Sequence, residues 1–280
     1  MKRGESWLRP PAVAGRFYPG DAAELAREVE QHLSAGRAAA GSAPAPALAL
    51  MAPHAGYMYS GGVAGQVFAR VAIPERVVVM GPNHTGRGER VSVVPAGAYQ
   101  VPGGSVPIDS ELAEAILDEV PGARPDADAH RMEHSVEVEV PFLRALQPAL
   151  RFVPMVLGAL SERDSIAVGQ GLARAVARVG GDVLVVASSD MSHYLPDAEA
   201  RRVDKIALDA LLTGDAAALH RTVRERDISM CGVIPTTAML AYAGAAGATR
   251  RPDLVAYGTS GDTSGDRSRV VGYAGVIIAA

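Results

Sequence analysis

The chain reads as an α/β protein with a central, mostly parallel or mixed β-sheet flanked by helices, and two observations predict this. Short runs of strand length are apolar throughout rather than alternating, which marks strands buried on both faces. Longer segments with apolar residues at helical spacing lie between them. At the start of the first helix, Asp21 and Glu24 form a capping-box pattern after the Pro19-Gly20 turn, and Leu25, Val29 and Leu33 recur on one face. Residues 34–46 (SAGRAAAGSAPAP) are small and rich in Pro, Ala and Gly, and read as a mobile connection. Strands are expected at 47–52 (ALALMA), 76–80 (RVVVM), 152–157 (FVPMVL) and 183–187 (VLVVA). Helices are expected at 62–71, 110–120, 136–146 and 162–179, the last capped by Ser161. Two more, 198–212 and 215–226, precede Cys231, and another follows it to about residue 244. Residues 254–258 and 270–278 close the chain as strands, so residues 1–280 read as one domain.

Composition removes several function classes. At 48% hydrophobic and 21% charged, the chain can build a sizeable core. A net charge of −4 gives no global attraction to nucleic acid or to an anionic membrane surface. No apolar run approaches the roughly 20 residues of a membrane helix, and residues 1–10 lack a signal-peptide core. A cytoplasmic protein is the expectation. The single Cys231 forbids an internal disulfide and Cys-rich zinc sites, so a metal site must rest mainly on the seven His and on carboxylates. Walker A, dinucleotide-binding G-x-G-x-x-G, H-E-x-x-H and G-x-S-x-G patterns are all missing.

Three predicted strands run straight into histidine-bearing loops. ALALMA is followed by Pro53-His54-Ala55-Gly56-Tyr57, RVVVM by Gly81-Pro82-Asn83-His84-Thr85-Gly86, and VLVVA by Ser188-Ser189-Asp190-Met191-Ser192-His193-Tyr194. Ligands of open α/β sheets bind beyond the carboxyl ends of the strands. Parallel pairing would therefore gather His54, His84 and His193 at one edge, a common beginning of a transition-metal site. Asp190 either orients His193 or works as an acid/base there, or else caps the turn. His134 reads as a proton donor or substrate ligand at the same edge, or as the opening of a helix. His130, Glu133 and Glu137 read as solvated charges at that helix start, and His32 and His220 as surface residues. Cys231 is open between a metal-binding thiolate and a small buried hydrophobe.

The motifs APHAGYMYSG (52–61), GPNHTG (81–86), EHSVEVEVPFL (133–143), SSDMSHY (188–194) and MCGVIP (230–235), in this order, resemble the Memo family. The resemblance runs from AVAGRFY (12–18) to the final strand. It implies a fold similar to class III extradiol dioxygenases of the LigB type, which use non-haem Fe(II). By motif match it implies His54, His84 and Cys231 as metal ligands, with His193 and Asp190 beside them as catalytic groups; His134, from its place at the same edge, is the third expected catalytic residue. Phe17 stands where animal members have a Trp in the ligand pocket, and Tyr57 and Tyr194 join it as expected substrate-binding aromatics. Cys231 takes the place of the dioxygenases' carboxylate; a thiolate is softer, which opens the site to Cu or Zn beside Fe(II). The implied activity is a dioxygenase-like oxidoreductase acting on a small aromatic or modified substrate. Two other readings are a binding module for a phosphorylated or anionic peptide and a zinc hydrolase. The resemblance also implies partner proteins of radical-SAM and Amme type.

Overall fold

The computed structural model describes residues 1–3 and 5–280. Along the chain come β1 (Trp7–Arg9), α1 (Ala22–Ala40), β2 (Ala47–Ala52), α2 (Tyr57–Phe68) and β3 (Arg76–Pro82). Three short strands, β4 (Val91–Val93), β5 (Gly97–Val101) and β6 (Gly104–Pro107), lead to α3 (Ser110–Glu119) and β7 (Ala123–Pro125). A 3-10 turn (Glu137–Glu139) runs into α4 (Val140–Leu146), then β8 (Arg151–Leu157), α5 (Glu162–Val179), β9 (Val183–Ser188) and β10 (Asp190–Leu195). The remainder is α6 (Asp197–Leu211), α7 (Ala216–Glu225), α8 (Val233–Ala245), β11 (Asp253–Thr259), the one-turn α9 (Gly261–Ser264) and β12 (Val270–Ala279).

The large sheet has the order β10-β12-β2-β9-β3-β8-β4-β7, with β11 also paired to β12. Its middle strands β2, β9, β3 and β8 are parallel. Antiparallel β12 joins β2, and antiparallel β4 joins β8, so the sheet is mixed. The four central strands lie in the middle because their Val, Leu, Met and Ala side chains need cover on both faces. Helices α1, α2 and α4 pack together on one side, while α5 and α8, with α3 and α7, pack together on the other. Helix α8 is apolar around its whole circumference because it is enclosed between α5 and the sheet. A Val, Leu or Met buried this completely contributes about 1.5–3 kcal/mol. A second sheet, β1-β5-β6, brings the N-terminal residue Arg9 under the segment that carries His134.

Several expectations change. Residues 34–40 are not a connection but the last turns of α1, leaving 41–46 as the link to β2. Three consecutive alanines favour helix, and Gly41 ends it in the left-handed conformation at φ 64°. Gly36 has a packing role: a Cβ there would strike the Gly65 carbonyl of α2, so the two helices touch backbone to backbone. Helix α2 begins at Tyr57 instead of residue 62, and residues 190–195 form the strand β10 rather than a loop. His220 is buried and His32 half-buried, so neither is a surface residue.

Candidate metal centre

The parallel strands end side by side, with Ala52 of β2 paired to Ser188 of β9. Their continuations therefore enter one space. His54 follows β2 through Pro53, and its backbone N–H donates to Asp190 Oδ1 at 2.8 Å. His84 follows β3 through Asn83, whose Oδ1 accepts from Thr85 N (3.0 Å) and Gly86 N (2.9 Å) and so closes the loop into an Asx turn. Cys231 arrives just before α8. A Cβ on Gly232 would collide with Ser189, so only glycine lets the thiol approach β9 this closely.

The imidazoles of His54 and His84 and the thiol of Cys231 come together, with one donor atom of each within 4.8 Å of the others. His54 Nε2 faces Cys231 Sγ at 3.3 Å. Two donors held about 2.1 and 2.3 Å from one tetrahedral ion lie about 3.6 Å apart, so this spacing fits a shared metal. On the far side of each ring, Nδ1 is already engaged. His54 Nδ1 lies 2.8 Å from Ser188 Oγ, and His84 Nδ1 lies 2.9 Å from Glu133 Oε1. Such outer hydrogen bonds orient an imidazole and fix its tautomer, leaving the inner nitrogen to bind.

His84, Glu133 and His134 form a second close group. Glu133 is nevertheless saturated. Its Oε1 accepts from His84 Nδ1 and from the backbone N–H groups of His134 and Ser135, each at 2.9 Å, and Oε2 accepts from His84 N at 2.6 Å. Burial works to raise its pKa, but the His84 hydrogen bond and charge, with the backbone donors, win and hold it at about 2. Glu133 is thus a permanent carboxylate that positions His84. The expectation that His130, Glu133 and Glu137 are solvated is corrected, since all three are buried. Glu137 instead accepts Arg9 Nη1 at 2.6 Å and the Tyr18 hydroxyl at 2.5 Å.

Of the remaining expected groups, Phe17, His134, Asp190, His193 and Tyr194 line a cavity of about 640 Å³. His134 stacks on His84 with centroids 4.6 Å apart, and Phe17 packs against it at 4.8 Å. Burial pushes the His134 pKa down to about 4, so the ring is neutral. His193, on β10, donates from Nδ1 to the Ser229 carbonyl at 2.9 Å, and Asp190 lines the cavity beside it. Burial pushes Asp190 up to about 6 against the pull of the His54 N–H. Burial and the nearby Asp190 charge raise the Cys231 thiol, and burial with the surrounding imidazoles lowers His54.

Phe17 and Tyr194 line the cavity; Tyr57 does not. Tyr57 is 1% exposed, and its hydroxyl donates to the Val138 carbonyl at 2.7 Å, because the first turn of α2 directs the ring into the core. Tyr59, two residues on, reaches the cavity instead, joined by Tyr273 and Arg269. Tyr194 adopts φ 62°, uncommon for a bulky residue, and Arg269 lies 5.4 Å above its ring. Sequence reading missed Glu133, Ser188, Glu139 and Arg269. The alternation of Glu with Val over residues 137–140 was the available signal, since carboxylates inside an apolar run are buried with partners or not at all.

A family model described as "Memo-like protein" matches residues 9–277. A MEMO1 family protein of Archaeoglobus fulgidus is 40% identical over 270 residues, covering 96% of this chain and 99% of that one. Another from Aquifex aeolicus is 41% identical over 274 residues, covering 96% and 98%. Among solved structures, an uncharacterized protein from Escherichia coli K12 superposes with a TM-score of 0.55 at 14% identity, covering 82% of this chain and 98% of that one. That likeness concerns the fold alone.

Proposed function

The chain belongs to the Memo-like family, and from that premise we propose a mononuclear metalloprotein that uses Fe(II) at His54, His84 and Cys231 as an oxidoreductase. One observation carries the reading. Two imidazoles with engaged outer nitrogens present their inner nitrogens to a thiol, at the floor of a cavity with aromatic walls. Bound there, Fe(II) would supply Lewis acidity and one-electron chemistry with O₂.

The protein's own groups divide the rest of the work. Ser188 and Glu133 hold the rings in place. His193 keeps Nδ1–H on the Ser229 carbonyl, which leaves Nε2 as a proton acceptor beside the cavity. Asp190, at about 6, can exchange a proton near neutrality. Phe17, Tyr59, Tyr194 and Tyr273 wall the cavity for a flat aromatic substrate, and Arg269 gives its mouth a cation. That cation also favours the second reading, capture of an anionic or phosphorylated ligand without turnover.

Metal analysis of anaerobically purified protein, with His54→Ala and Cys231→Ser beside it, tests the site. Wild type should carry about one iron per chain and both variants much less; full stoichiometry in either variant removes the ligand assignment. Zinc in place of iron would favour a hydrolase. O₂ uptake with a catechol panel tests the activity, and metal-independent phosphopeptide binding with no O₂ uptake would favour the binding module.

A further inference from the structure

Three buried glutamates follow one another within seven residues, and their surroundings differ sharply. Glu133 receives four N–H donors. Glu137 receives a guanidinium, two backbone N–H groups and a tyrosine hydroxyl. Glu139, 0% exposed, has only the Ser188 hydroxyl beside Oε1 at 2.7 Å, and among the described residues Oε2 has no partner. A buried carboxylate with so little compensation is costly, whereas a neutral acid is not.

Ser188 makes the assignment specific. Its Oγ lies 2.6 Å from the Ser135 carbonyl, 2.7 Å from Glu139 Oε1 and 2.8 Å from His54 Nδ1. A hydroxyl has one proton to give and two lone pairs to receive with. The Ser135 carbonyl can only accept, so it takes the proton. Both lone pairs must then meet donors, which makes Glu139 an O–H and His54 Nδ1 an N–H. An ionised Glu139 would face either the Ser188 oxygen or leave the carbonyl facing it, with no proton between two oxygens at hydrogen-bond distance.

We infer that Glu139 is a neutral carboxylic acid donating to Ser188, and that Ser188, its own proton given to the Ser135 carbonyl, holds His54 as the Nδ1–H tautomer, with Nε2 bare toward Cys231. Burial raises the Glu139 pKa well above the ordinary carboxylate value, in the same sense. Glu139 then lies two hydrogen bonds away from the donor atom. The inference deepens the metal-site reading and rests on it for the affinity readout alone.

Infrared and ¹⁵N NMR spectra of the metal-free protein at pH 7 test it directly. The wild type should show a protonated-carboxyl stretch that Glu139→Gln removes, with His54 on Nδ1–H in both, because the Gln amide still donates to Ser188. Ser188→Ala removes the hydroxyl and should give mixed His54 tautomers, whereas Glu139→Leu leaves the Ser188 proton on the Ser135 carbonyl and should keep His54 on Nδ1–H. Iron affinity should stay within about threefold in both Glu139 variants and fall about 10–100-fold in Ser188→Ala. Identical carboxyl spectra in wild type and Glu139→Gln, or wild-type His54 protonated on Nε2, would overturn the inference. A wild type that takes up no metal would sink the metal reading and leave both spectra to decide this one.

Discussion

Replacing Glu133 with Gln probes how much of the candidate centre is built by its supports. The carboxylate is 1% exposed and accepts four N–H groups. Its pKa lies at about 2, against an ordinary 4.5. That difference corresponds to about 3 kcal/mol of preference for the ionised form, at 1.36 kcal/mol per unit. Glu133→Gln keeps the shape but turns an NH₂ toward donors, leaving some of them unpaired. Urea unfolding of the metal-free variant should show a loss of about 2–4 kcal/mol, and chelator competition a metal affinity about 10–100-fold lower. The depressed pKa also sets a sign: its contribution is complete above pH 4.5 and is lost as pH falls toward 2. A folded Glu133→Gln protein with wild-type metal affinity would refute the idea that this carboxylate positions His84.

Other consequences follow from the same structure. The half-buried Cys231 thiol must lose its proton to bind metal, so metal affinity should rise about tenfold per pH unit below the thiol's raised pKa, and pH-resolved competition titration reads that slope. His130 is buried and its pKa lowered from 6.5 to about 3, by burial first and then the Arg9 charge. Its neutral form is favoured by folding, so stability is complete above pH 6.5 and should fall by about 2 kcal/mol between pH 7 and 5. Urea midpoints across that range measure it, and His130→Asn should flatten the trend. Gly36→Val drives a side chain into the α2 backbone and should cost at least about 2 kcal/mol in the same assay.

The fold was legible because strands buried on both faces have no polar residue to blur them, as at Val77–Met80 and Leu184–Ala187. The Glu162–Val179 helix matched to the residue, since Ser161 caps it and Gly180 ends it. Short strands such as β4 and β7 were invisible because three residues carry no periodicity. The segment 34–40 misled because alanine and glycine suit both a loop and a close helix contact. At the candidate site, strand-end placement located His54 and His84, and the resemblance added Cys231. The supports were harder to see. Glu133 and Glu139 look like surface charges until tertiary structure supplies the donors around one and withholds them from the other.

A crystal structure of anaerobically prepared protein, with anomalous data across the iron, copper and zinc edges, tests the central claim most directly. A single iron peak coordinated by His54 Nε2, His84 Nε2 and Cys231 Sγ is expected. A peak on Glu133 and His134 instead, or no peak in protein shown to be folded, would contradict it.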